Sequence, residues 1–153
     1  MQVLWALAHA LESMSKRMHV TIGVTGPQRL VLRMVGHYGR PSPGDLADAL
    51  HVHPSSLTGI LRRLVETGLL YRDRDPSDRR RAILRLSPRG KALNARRAGT
   101  VEASVRRTLR GISAAKSLAA RDVVAALAEG LGVALVSPPS GRTPQQQVKK
   151  KRR

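Results

Sequence analysis

Apolar residues over positions 2–21 fall at three- and four-residue spacing. Val3, Leu4, Leu7, Ala8, Leu11, Met14 and Met18 share one face, and the spacing predicts a first helix. Gly23 and Gly26 follow it. Thr25-Gly26-Pro27 supplies a hydroxyl cap and a first-turn proline, and Leu30, Val31, Met34 and Val35 carry a second helix to about His37. Arg40-Pro41-Ser42-Pro43 predicts a turn with room for one very short strand. Ser42 caps and Pro43 opens a short third helix over 43–50, with Leu46, Ala47 and Leu50 apolar. His51-Val52-His53 connects it to a fourth helix over 54–67. Leu57, Ile60, Leu61, Leu64 and Val65 form that helix's inner face, and Gly68 ends it.

Beyond Gly68 the period changes. Leu69 to Arg72 and Ala82 to Leu86 predict two strands of a hairpin, joined by a charged tip that contains Asp75-Pro76-Ser77-Asp78. Ser87-Pro88 caps a helix predicted over 89–110, marked by Leu93, Ala95, Val101, Val105 and Leu109 and weakened at Gly99. Gly111-Ile112-Ser113 breaks it. A last helix is predicted over roughly 118–131, with Val123, Val124, Leu127 and Leu131 on one side. The fold class is mainly α with a small β-hairpin: a winged helix-turn-helix with helices before and after it, over residues 1–136. Residues 137–153, rich in Pro, Ser, Gln and Lys, predict a disordered basic tail.

Charge adds a partner to this picture. The chain has 28 Lys and Arg against 10 Asp and Glu, a formal net charge of +18. The tail holds six of the basic residues and no acid, so positions 1–136 still carry 22 against 10. Such a surplus attracts a polyanion, and nucleic acid is the first candidate. With Trp5, Tyr38 and Tyr71 as the only aromatics, a base-stacking platform for single strands is out of reach. Duplex DNA fits better. The outer side of helix 54–67 carries Ser55, Ser56, Thr58, Gly59, Arg62 and Arg63. Small hydroxyl residues let a helix sink into a major groove, and arginines one turn on meet guanine or phosphate. The same residues also suit an ordinary solvated helix face. The hairpin favours DNA, because Arg72, Arg74, Arg79, Arg80, Arg81 and Arg85 outnumber Asp73, Asp75 and Asp78. A tip arginine suits a narrow minor groove, and Asp78 is placed to hold a neighbouring arginine side chain.

Three segments carry a family resemblance: GPQRLVLRMV (26–35), LADALHVHPSSLTGILRRLVETGLL (46–70) and RDRDPSDRRRAILRLSPRG (72–90). Together they resemble the MarR family of bacterial regulators, and with the flanking helices the resemblance covers about residues 3–132. It implies a homodimer paired through the first helix and the last two. It also implies a pseudo-palindromic operator with half-sites about one helical turn apart. Helix 54–67 would enter the major groove, and the wing would reach the minor groove with Arg80 inserted and Asp78 holding it. It implies repression relieved by a small, often aromatic, anionic effector bound between the dimer helices and the winged domain. Two features depart from the family pattern: the Gly- and Ser-rich stretch 106–118, and the basic tail after 136, which would add sequence-independent phosphate contacts.

His51 and His53 offer two metal ligands, not a closed set, so no metal is expected. Trp5 and His9, four apart, either line an effector pocket with Arg29 or His37 or pack in a dimer interface. No nucleophile–base set or phosphate loop points to an enzyme or a cofactor. A cysteine-free basic chain with no apolar span fits the cytoplasm, on the bacterial nucleoid, with no membrane partner. The competing readings are a non-specific architectural DNA-binding protein and a helical module for an acidic protein.

Overall fold

A computed structural model describes residues 1–133, so the tail reading and the domain limit at 136 lie outside the described residues. The elements are α1 (Gln2–Ile22), α2 (Gly26–Tyr38), α3 (Pro43–Leu50), α4 (Pro54–Glu66), β1 (Leu70–Arg74), β2 (Ala82–Leu86), α5 (Pro88–Ala95), α6 (Val101–Leu109) and α7 (Ala114–Gly130). Two capping boxes set the helix-turn-helix. The Thr25 hydroxyl accepts from Gln28 N while the Gln28 side chain accepts from Thr25 N at 2.9 Å. Ser42 and Asp45 repeat the arrangement at the start of α3, at 3.1 and 2.8 Å. His51 ends α3 in the left-handed region (φ 51°), and the His53 ring caps α4.

Val31, Leu32 and Val35 of α2, Leu46 of α3, Leu57, Leu61 and Leu64 of α4, Leu69, Leu70 and Leu84 form one core. The hairpin pairs antiparallel from Leu70↔Leu86 to Arg74↔Ala82. The expected short strand near Pro41 is not assigned as one, yet the Pro41 carbonyl accepts from Leu84 N at 2.9 Å, which seats the hairpin on the turn before α3. The Ser-Pro-Arg-Gly segment has a packing reason. Ser87 Oγ donates to Gly68 O at 2.7 Å and accepts from Gly90 N at 2.9 Å. Gly90 lies so close to the strand that an added Cβ would run into the carbonyl oxygen of Leu69.

The predicted helix 89–110 is two helices. Gly99 adopts a left-handed conformation (φ 73°) and Thr100 caps α6 through Ala103 N, so the chain turns at 96–100. The last helix starts at Ala114, earlier than the apolar spacing indicated, because Ser113 caps it through Lys116 N. Arg29 ties α2 to the 96–100 elbow. Its guanidinium, 3% exposed, donates to Glu102 Oε1 at 3.1 Å and to the carbonyls of Leu93, Asn94 and Arg96. A buried charge with its fan of donors filled in this way is a structural clamp. The outer helices are unlike the centre. Met18 is the only buried residue of α1, and α6 and α7 have none. Among the described residues no helix is long and apolar enough to cross a membrane.

Candidate nucleic-acid interface

The α4 helix packs against α2, α3 and β1 through Leu57, Leu61 and Leu64, which turns its other side outward. Ser55, Ser56, Thr58, Gly59, Arg62 and Arg63 all stand exposed on that side. The hydroxyls are partly oriented. Ser55 Oγ lies 2.7 Å from His53 Nδ1, and Thr58 Oγ1 donates to Pro54 O at 2.9 Å. Arg62 reaches Glu66 at 3.6 Å across one turn in a solvated pair, while Arg63 has no carboxylate within 4.0 Å among the described residues. Gly59 is informative. A Cβ there would meet no atom of the chain within 4 Å. Glycine inside a helix costs roughly 0.5–1 kcal/mol relative to alanine, and nothing within the protein asks for it here.

The wing is braced rather than loose. Arg81 donates to both Asp45 oxygens at 2.9 and 2.6 Å and to Ser42 Oγ at 3.3 Å, which links the hairpin tip to the start of α3. Burial opposes ionisation of Asp45, but the Ser42 amide and hydroxyl and the Arg81 guanidinium hold its pKa below the usual value. Arg85 pairs with Asp73 and lies 4.4 Å over the Tyr71 ring. At the tip, Asp75 accepts from Ser77 N and Oγ, which lowers its pKa.

The structure therefore divides the expected wing residues. Arg81 and Arg85 are engaged within the protein. Arg72, Arg74, Arg79 and Arg80 are exposed, and none has a carboxylate partner among the described residues. The first three, with Arg80, line a cleft of about 520 Å³. Asp78 was expected to hold an arginine side chain, but its carboxylate instead accepts from the backbone N–H of Arg80 at 3.0 Å. It shapes the turn that presents Arg80 and leaves the guanidinium free. The bracing pair Arg81–Asp45 was not foreseen. The sequence signal was the acid three residues after Ser42, which reads first as a capping partner.

A second feature lies between α1, α2 and α6: a mainly apolar cavity of about 680 Å³ lined by Leu11, Met18, Pro27, Leu30 and Val101, with Arg29, Arg33 and Glu102 at its side. Of the four residues expected at an effector pocket, only Arg29 is there. Leu11, Ser15 and Met18 take the inward face of α1. His9 is two residues, about 200° of helix, from Leu11, so Trp5 and His9 point outward, with Trp5 73% exposed. His37 is exposed and stands edge-on to Tyr38, with 5.1 Å between ring centroids. No group of three or more potential metal ligands occurs among the described residues, and His53 serves as the α4 cap.

The sequence profile of the MarR family matches residues 24–82, the segment that holds α2 through the tip of the hairpin. A Thauera aromatica protein assigned as the transcriptional regulatory protein for the hcr operon is 32% identical over 122 residues, 80% of this chain and 71% of that one. The PcaV transcriptional regulator of Streptomyces coelicolor, solved with its natural ligand, superposes with a TM-score of 0.70 at 24% identity, covering 83% of this chain and 89% of that one. The S. aureus MepR–DNA complex gives 0.71 at 18% identity, covering 85% and 96%. The fold, the order of its elements and these relatives agree: the chain belongs to the MarR family of transcriptional regulators.

Proposed function

We propose that the chain is a homodimeric, sequence-specific repressor that binds a pseudo-palindromic duplex operator and is released by a small anionic, often aromatic, effector. The observation that carries the DNA reading is the α4 outer face. Its glycine and hydroxyl residues leave room for an approaching groove edge, next to a braced hairpin that presents Arg80. Ser55, Ser56, Thr58, Arg62 and Arg63 read the major groove, and Arg80 enters the minor groove with Arg72, Arg74 and Arg79 on flanking phosphates. The apolar side chains that α1, α6 and α7 leave exposed, such as Val3, Leu7, Val105, Val123 and Val124, support the dimer. The apolar cavity beside α1 is the effector site. MepR was solved with DNA and PcaV with a ligand, which supports both parts.

The basic surplus favours one second reading, a sequence-independent DNA coat. Selection of bound duplexes from a random pool separates the two. A regulator yields a palindrome and prefers it over random duplex by ~10³ or more, whereas a coat yields no consensus. Removal of 137–153 is expected to lower the salt dependence of binding and spare the preference.

A further inference from the structure

Beside the apolar cavity, on the other side of the Arg29–Glu102 pair, lies a second cleft of about 730 Å³ with a different lining. Arg29 and Arg33 come to it from α2, Arg96 and Arg97 from the elbow, and Arg106, Arg107 and Arg110 from the end of α6, with Glu102 its one carboxylate. Arg29 and Arg33 are the two that reach Glu102, at 3.1 and 3.9 Å. The other five arginines have no carboxylate partner among the described residues. A second copy of the chain brings the same excess, 28 basic residues against 10 acidic ones. The cleft includes no residue of α3, α4 or the hairpin, so it is separate from the DNA-reading surface described above.

The two cavities share Arg29, Arg33 and Glu102 as a common wall. At that wall Glu102 Oε2 is buried with no donor in hydrogen-bonding geometry, although Oε1 is taken by Arg29 and the Glu102 N–H lies near enough to favour the charged carboxylate. A buried carboxylate oxygen without a donor is costly, and because the Glu102 side chain is 38% exposed overall, a turn of its carboxylate would present Oε2 to a ligand hydroxyl or amide at the junction.

We propose that the cavities form one bipartite site for an apolar phosphate ester, with its hydrocarbon among Leu11, Met18, Leu30 and Val101, a hydroxyl or amide donor at Glu102 Oε2, and its phosphate among the elbow and α6 arginines. Phosphate suits the head because forked guanidinium donors match its oxygens and several can share one dianion. The inference deepens the effector reading of the apolar cavity and is independent of which operator is read.

The test uses the full chain without DNA and three probes: 1-octanoyl-glycerol 3-phosphate, its head glycerol 3-phosphate, and its tail 1-monooctanoylglycerol. Calorimetry is expected to give the whole ester a Kd at least tenfold below that of either fragment. The Arg106→Glu/Arg107→Glu double variant should lose at least tenfold for the two phosphate-bearing probes and keep its affinity for monooctanoylglycerol. Should that variant unfold or dissociate, Arg96→Gln/Arg97→Gln replaces it, with a loss of threefold or more in the same two probes. Equal affinity for the ester and glycerol 3-phosphate would overturn the proposal in favour of a bare anion patch. Unchanged affinity in a folded arginine variant would overturn it outright. So would a variant that loses duplex binding while keeping the ester, because the cleft would then be a DNA-backbone contact. Failure of the ester to bind leaves operator selection untouched, and failure of operator selection leaves ester binding untouched.

Discussion

Residues 24–90 and the helices on either side contain the same apolar residue types at the same helical spacing, and the two regions use them differently. In the centre, Leu32, Val35, Leu46, Leu64 and Leu84 are wholly buried. In α7, Val123, Val124 and Leu127 remain 61%, 54% and 42% exposed, and in α1 Val3 and Trp5 remain 81% and 73% exposed. Full burial of such a side chain is worth roughly 1.5–3 kcal/mol, so the outer helices hold stabilisation that one chain leaves unrealised. The difference separates a unit whose packing is complete from a pair of flanks whose packing one chain leaves open.

The strongest way to sharpen that contrast is to truncate one residue from each region. Leu64→Ala is expected to cost ~2–5 kcal/mol in urea unfolding at any protein concentration. Val124→Ala is expected to cost little at high dilution, within about 0.5 kcal/mol, and more as concentration rises. A Val124→Ala effect that is independent of concentration would break the comparison, because α7 would then be completed within one chain. Charge tests the proposed dimer on the same face: Val123→Glu with Leu127→Glu should convert it to monomer in sedimentation. It should also weaken operator binding by ~10²-fold or more, the avidity of two linked half-site contacts.

The central region was also the more legible one. Its boundaries are written locally, in Thr25 with Gln28, Ser42 with Asp45, Pro54 and Gly68, and apart from the short strand expected near Pro41 each predicted element there falls within a residue or two of the observed one. The hairpin register follows from Leu70, Leu84 and Leu86 facing the core. The flanks were less legible because their structure depends on contacts between distant residues. Alanine and arginine around 95–107 are good helix formers, so the chain read as continuous. What breaks it is the left-handed Gly99, the Thr100 cap, and Arg29, which lies 67 positions from the Arg96 carbonyl it holds. The arginine cleft was invisible for the same reason, since its walls come from α2 and from 96–110. At the reading site the residue types were legible and their roles were not. Nothing in the string Asp78-Arg79-Arg80-Arg81 tells which arginine Asp45 takes.

The wing allows that division of roles to be tested with smaller effects. Arg80→Ala is expected to weaken operator binding by ~1–3 kcal/mol without altering unfolding, since its side chain has no internal partner. Arg81→Ala and Asp45→Ala should weaken binding less, and their effects should fail to add, because either one releases the same brace. A double-mutant cycle reads this, and full additivity would mean that Arg81 contacts DNA itself.

The smallest expected effect sets the two regions side by side through acid. Asp45 in the centre and Glu102 at the elbow both have pKa values below their ordinary ones. For Glu102, burial again opposes ionisation, and its own backbone N–H and the Arg29 guanidinium outweigh it. A carboxyl with a depressed folded pKa contributes stability that is present above its unfolded pKa and is lost as pH falls through the folded one. Both contributions should therefore persist near neutrality and fade as the pH drops below the ordinary carboxylate range. Asp45 is half-exposed and its bridge to Arg81 is solvent-screened, so its share is about 0–1 kcal/mol. Urea midpoints between neutral pH and acid should fall less steeply in Asp45→Asn than in the parent. Glu102→Gln should do more than flatten the acid limb: it strips the buried Arg29 of its one carboxylate, which lowers stability at neutral pH as well. If Glu102→Gln left neutral stability intact, the elbow would be held by its carbonyls alone, and the ion pair would be free to rearrange around a bound anion.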